Sequence, residues 1–237
     1  MFPLYGFIIT LVLEMANNNM KNFKQFLLEE NQQIQCDVNG ICKIIKSYES
    51  AGNEKKILSV YKDSKGFDTI GHGHLITKDS PKIFGEVFAE EEKVTPGFIS
   101  GVLGGKKSLT PDQAEKLLQR DVKVRLPELK KLIPKFESYT PELQGELTSE
   151  YFRGMVTQSP NAVKMLNAGD FAGASKEFLN AKEYREAVAQ KSGIATRMKN
   201  LSDSMASELD RQKAIKDKKE KDLMYQGYSS GPYAKAN

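Results

Sequence analysis

"YKDSKGFDTIGHGHLITK", residues 61–78, decides how this chain is read. Ile57 to Asp63 is β-branched and aromatic with alternation, Ser64-Lys65-Gly66 is turn material, and Phe67 to His74 alternates again. Together they predict a β-hairpin, the one convincing sheet signal in the chain. Gly66, Gly71 and Gly73 read as turn or close-approach glycines. The chain's two histidines, His72 and His74, also fall here. Two apart on a strand they would point to one face, which raises a metal site. No third histidine exists, and only Cys36 and Cys42 could complete a zinc set, so no metal is expected.

Upstream of the hairpin, Ile41, Ile44, Ile45 and Tyr48 recur at helical spacing, with Asn39 as the expected cap and Gly52-Asn53 as the stop. Downstream, Pro81 to Lys107 is Gly-rich and charge-mixed without sustained periodicity, and helices then take over. Thr110-Pro111-Asp112-Gln113 combines a capping threonine, proline at the first helical position and glutamine at the capping-box position. Thr140-Pro141 opens a second helix the same way, with Leu143, Leu147, Tyr151 and Phe152 on one side. Further helices fit residues 161–167, 170–180, 181–190 and 194 to about 223. Residues 18–35 read as a polar arm, and the Gly/Ser/Tyr-rich tail as mobile.

With 237 residues, 39% apolar and 28% charged, the chain has the composition of a soluble globular protein with one sizeable core or two small lobes. Its formal charge is +4, and residues 211–222 alone carry six basic and three acidic side chains. That is not the basic stripe of a nucleic-acid binder, so none is expected as a partner. This basic stretch reads as a solvated helix face or as a contact with anionic envelopes. The spacing of Cys36 and Cys42 fits neither a redox pair nor a zinc knuckle, which leaves free thiols or a local bridge. The apolar run Phe2 to Leu13 is short of the roughly 20 residues of a spanning helix and lacks a basic segment before it. It is read as preceding a true start at Met15 or Met20, as a weak anchor, or as a segment packed on the protein.

Glycoside hydrolysis typically pairs a carboxylic acid that protonates the leaving oxygen with a carboxylate that activates water or attacks the sugar. A glutamate at a helix end facing an aspartate in the hairpin supplies such a pair. In these residues the chain resembles the T-even-phage type of lysozyme, glycoside hydrolase family 24. "YESAG" is followed by Tyr61, Asp63, Gly66, Thr69, Ile70, Gly71, Gly73 and His74, which fill every place of the family's Tyr-x-Asp-x-x-Gly-x-x-Thr-Ile-Gly-x-Gly-His block. "SLTPDQAEKLLQRDV" is similar to the helix that opens the family's connection between lobes, and residues 144 to about 205 follow its helical lobe more loosely.

The resemblance implies an α+β, two-lobed fold. A hairpin lobe of about residues 41–108 would join a helical lobe of about 109–207, with residues 1–40 as an apolar segment and arm and 208–237 as a basic helix and tail. It implies Glu49 as general acid, Asp63 as the carboxylate that activates the attacking water, and Thr69 as a hydroxyl that fixes that water, with no metal or cofactor. Leu75 and Phe152 align with cleft-lining positions, though Phe152 also fits plain core. Glu54 restores the family's closer spacing to Asp63 and stands as the alternative acid; Glu49 is preferred because Ile45 to Glu49 makes one helical turn. His74 is expected to pair with Asp121 as an internal anchor. Arg197 matches a family arginine but reads here as a solvated helix charge. Ala162 and Glu177 stand where the family presents further polar contacts.

The implied substrate is the β-1,4 bond between N-acetylmuramic acid and N-acetylglucosamine in bacterial peptidoglycan, cut with inversion. The expected actor is a monomeric phage endolysin or virion-associated enzyme, made in the host cytoplasm and acting in the periplasm, with membrane or virion contact left to the termini. The rivals are a non-catalytic protein that holds peptidoglycan or a virion partner, and a transglycosylase. Asp63 and Thr69 favour hydrolysis over the transglycosylase.

Overall fold

The computed structural model describes residues 37–49, 54–63 and 65–229. The readings of the N-terminal segment and arm, of Cys36, of the Gly52-Asn53 stop, of Ser64 and of the tail lie outside these residues. Helix α1, Val38–Glu49, buries Ile41, Cys42 and Ile45, so its apolar stripe faces inward. Its cap is Asp37, whose Oδ1 accepts from the Gly40 amide at 2.7 Å. Asn39, the expected cap, sits inside the first turn; a cap must stand about three residues before the amide it serves, and Asp37 does. Cys42 is a buried free thiol. Burial, with Glu115 nearby, pushes it up to about 12, which leaves it inert.

The expected hairpin becomes a three-stranded antiparallel sheet of β1 (Tyr61–Lys62), β2 (Asp68–Ile70) and β3 (His74–Leu75). Ile57 belongs to a short helix, α2 (Glu54–Ile57), not to a strand. The bonds of the following residues are isolated ones: Gly71 N donates to Ile57 O and Leu109 N to Leu58 O. Without a strand alongside, the alternation of 57–60 builds no ladder. The second expected strand is broken as well. Gly71 and Gly73 take φ of +62° and +92°, a region open to glycine without strain, and the chain reverses there. His72 therefore lies in a turn and does not share a strand face with His74.

The register decides which side chains work together. Tyr61 pairs with Thr69, and Thr69 with Leu75, so these three share one face of the sheet. Ile70 and His74 pair on the opposite face and are buried. His74 Nδ1 donates to Asp121 Oδ2 at 2.7 Å, with both side chains almost fully buried. Burial pushes the Asp121 carboxyl upward, but the hydrogen bond and charge of His74, helped by Arg120, outweigh it and hold it below its ordinary value. The expected anchor is thus present and ties β3 to helix α5 (Pro111–Leu132).

The stretch read as irregular contains two helices, α3 (Ser80–Val87) and α4 (Pro96–Leu103), each with proline in its first turn. Two turns hold too few apolar repeats for a period to show. Their contribution is plain in the packing: Phe84, Phe88, Ile99 and Val102 join Ile70 and Leu117 in one buried cluster. Helix α5 opens on the capping box read from the sequence. Thr110 Oγ1 accepts from Gln113 N at 3.2 Å, and Gln113 Oε1 accepts from Thr110 N at 2.9 Å.

After a 3₁₀ turn at Phe136–Ser138 come α6 (Pro141–Phe152), α7 (Met155–Gln158), α8 (Pro160–Ala168), α9 (Phe171–Leu179), α10 (Lys182–Ala189) and α11 (Gly193–Ser229). The short α7 escaped the sequence reading, and α11 runs without a break past residue 207. Among the described residues no helix is long and apolar enough to cross a membrane. Phe136, Tyr139, Leu143, Leu147, Phe171 and Phe178 head the core of these helices. Helix α6 is buried all the way from Leu143 to Glu150, polar residues included. It meets α1 at Gly145, where an added Cβ would fall 2.1 Å from Ile44 Cδ1. Glycine is therefore what allows the helix bearing Glu49 to lie this close.

Candidate active site

Glu49, Asp63, Thr69, Leu75 and Phe152 all line one cleft of about 950 Å³. Their elements explain the convergence. Glu49 is the last residue of α1, Asp63 follows β1, Thr69 and Leu75 are opposed on β2 and β3, and Phe152 ends α6. Asp63 is fixed by its own turn: Oδ1 accepts from Lys65 N and Phe67 N, each at 2.8 Å. Thr69 is buried, and its Oγ1 donates to Phe67 O at 3.3 Å. Tyr61, on the same sheet face as Thr69, has its phenol pushed up to about 12, first by burial and then by the charges of Glu49 and Asp63. Both carboxylates therefore act on one tyrosine, which stays protonated and donates a hydrogen bond to Gly71 O at 3.3 Å.

Gly73 lines the same cleft beside Glu49. A Cβ built there would stand 3.9 Å from Glu49 Cδ, so the turn backbone packs against the carboxyl group. From the other side Arg197 Nη2 donates to Glu49 Oε1 at 2.8 Å. Arg197 is only 8% exposed, which corrects its reading as a solvated charge. A basic residue on a charged helix looks solvated in sequence, yet this one points inward at the end of α1. Its guanidinium also lies over the Tyr48 ring, 4.6 Å from the centroid. A second arginine, Arg125, stacks over Phe152 at 4.4 Å and donates to the Phe152 carbonyl. Phe152 thus combines both readings, partly packed on the Ile41–Leu118 cluster and partly facing the cleft.

A partly buried network, of which Tyr48 also lines the cleft, adjoins this wall. Tyr48 Oη donates to Glu146 Oε1 at 2.6 Å and accepts from Asn200 Nδ2 at 2.7 Å. Burial pushes Glu146 up to about 6, with the charge of Glu150 adding to it. Glu150 is itself raised by burial although Arg153 donates to both its oxygens. None of Tyr48, Glu146 or Asn200 was a candidate from sequence. Tyr48 stood in the apolar stripe of α1, and Glu146 carried no signal beyond its charge. Two other positions fall away: Ala162 is in the helical core and Glu177 bonds Asn161, and neither lines this cleft. Glu54 opens α2, and its side chain is outside the described structure.

The phage lysozyme family model matches residues 46–200. The chain belongs to the phage lysozyme family. The match spans the elements that build the cleft, from the end of α1 to the arginine of α11, and the small sheet among many helices fits the α+β phage lysozyme fold. A relative outside that comparison is the peptidoglycan hydrolase gp36 of Enterobacteria phage SP6, 29% identical over 127 residues, or 52% of this chain. The aligned part is 12% of gp36, so the chain spans a small fraction of that relative's length.

Proposed function

We propose that this phage lysozyme family member is a glycoside hydrolase of family 24 that cleaves the β-1,4 bond between N-acetylmuramic acid and N-acetylglucosamine in bacterial peptidoglycan. The observation that carries the reading is the convergence of Glu49, Asp63 and Thr69 on one cleft from three separate elements. Glu49 gives its proton to the glycosidic oxygen as the C1–O bond breaks. Asp63, held by two backbone amides, takes a proton from water as its oxygen bonds to C1 from the opposite face, and the Thr69 hydroxyl orients that water. One water is consumed, and the configuration at C1 inverts. Leu75 and Phe152 offer apolar surface to the sugar rings. The sheet-bearing and helical parts act as two lobes of a domain spanning about residues 41–207, and the protein works as a monomer on the host wall.

The products test the reaction class. Mass spectrometry of digested peptidoglycan should give reducing-end muramic acid with one oxygen from ¹⁸O-labelled water. An anhydro-muramic end would instead make the protein a transglycosylase, and intact glycan with a folded protein would make it a binder.

A further inference from the structure

The geometry points to Tyr48 and Glu146 as positioning residues for the acid: the Tyr48 ring is the surface on which Arg197 lies, and Glu146 with Asn200 fixes that ring by its hydroxyl. This rests on the reading of Glu49 as the acid. An arginine side chain has several rotatable bonds, and a single hydrogen bond to a carboxylate leaves many of its conformers available. Here the guanidinium is flanked by the Glu49 carboxylate at 2.8 Å and the tyrosine face at 4.6 Å. Those two contacts define a plane and a direction, so the arginine can hold Glu49 Oε1 in one place. The ring in turn cannot rotate freely. Its hydroxyl is clamped between an acceptor on α6 and a donor on α11, and burial together with the Glu146 bond keeps the phenol protonated.

The arrangement also joins elements that have to agree for the site to work. Tyr48 and Glu49 are adjacent on α1, while Arg197 and Asn200 are three apart on α11 and so share a helix face. Tyr48–Asn200 and Glu49–Arg197 are two parallel rungs between the same two helices. Glu146 Oε1 closes the inner rung from α6, and its Oε2 has no partner among the described residues. A carboxylate buried at this cost is better explained by the tyrosine it holds than by stability.

A kinetic double-mutant cycle tests this on soluble, un-cross-linked peptidoglycan. The full chain is compared with Tyr48→Leu, Arg197→Met, the double variant, Tyr48→Phe and Glu49→Gln, with circular dichroism as the check on folding. Loss of the cation–π contact should lower kcat of Tyr48→Leu by roughly 2- to 30-fold, with KM within about twofold of wild type. Tyr48→Phe, which keeps the ring, should recover part of that loss. In the Arg197→Met background, Tyr48→Leu should have no further effect, because the tyrosine acts through the arginine. Independent, multiplicative losses would overturn the inference, as would wild-type kcat in Tyr48→Leu. Should Tyr48→Leu fail to fold, Tyr48→Phe alone and with Arg197→Met decides by the same criterion. If Glu49→Gln is inactive while the Tyr48 variants are unaffected, the positioning role alone falls. If Glu49→Gln keeps wild-type kcat, the assignment of the acid falls first and this inference with it.

Discussion

Glu146→Gln should change how stability depends on pH, and the sign follows from where the carboxyl sits. Glu146 is 8% exposed, and burial raises it from 4.5 to about 6. Between those two values the folded chain holds a proton that the unfolded chain has released. Stability is then lost as pH rises through this window, because the native state binds more protons than the unfolded one. The integrated effect is about 2 kcal/mol, fully present against the protein above about pH 6 and absent below about pH 4.5. Glutamine keeps a carbonyl that can accept from the Tyr48 hydroxyl, and it does not titrate. Its amide adds a buried donor of constant cost, so the pH-dependent part of the difference is the quantity to read. Urea unfolding of both proteins at pH 4.5, 5.5, 6.5 and 7.5 should show the variant gaining on wild type with rising pH, by about 2 kcal/mol in all. In thermal scans that corresponds to roughly 4–8 °C for a chain of this size. Glu150 titrates in the same direction but is present in both chains. Parallel stability profiles would refute the account of Glu146 as a carboxyl strained by burial.

Asp121→Asn removes one partner of the buried His74 pair and should cost roughly 3 kcal/mol at neutral pH, measured by denaturant unfolding. Because Asp121 is held below its ordinary value, wild-type stability from this group is present above about pH 4 and lost as pH falls further. The penalty of the variant should therefore shrink at low pH. Gly145→Ala sets a helix-propensity gain of about 1 kcal/mol against overpacking of about 1–3 kcal/mol on Ile44. Net destabilisation is expected, and Ile44→Val, which deletes the clashing Cδ1, should restore most of it in the double variant. Leu75→Ser changes a side chain that is 41% exposed, so unfolding should shift by less than about 0.5 kcal/mol while KM for soluble glycan rises.

The legible part of this protein was the part in which local chemistry forces a residue type. Gly71 and Gly73 stood out as turn or close-approach glycines, but the alternation of residues 67–74 hid the chain reversal that their left-handed backbone makes between β2 and β3. The Thr110 capping box is local by construction, and it was read correctly. Short helices were not legible, since α3 and α4 each repeat their apolar positions only once or twice. Nor was the wall behind Glu49. Arg197 and Asn200 lie about 150 residues from α1, and nothing in their neighbours distinguishes an inward-facing arginine from a solvated one. Helix α6 was legible as a helix, but its one apolar side gave no sign that its polar faces are buried as well. Its buried Glu146 is explained by Tyr48 on α1, and Glu150 by Arg153 at the C-terminal end of α6 itself.

Clearing of purified Gram-negative peptidoglycan by the full chain, beside Glu49→Gln and Glu54→Gln, tests the central claim most directly. A general acid contributes roughly 10²- to 10⁴-fold, so Glu49→Gln should abolish detectable clearing while Glu54→Gln clears like wild type. Clearing by Glu49→Gln together with loss in Glu54→Gln would contradict the site built here, and a folded wild type that clears nothing would contradict the hydrolase itself.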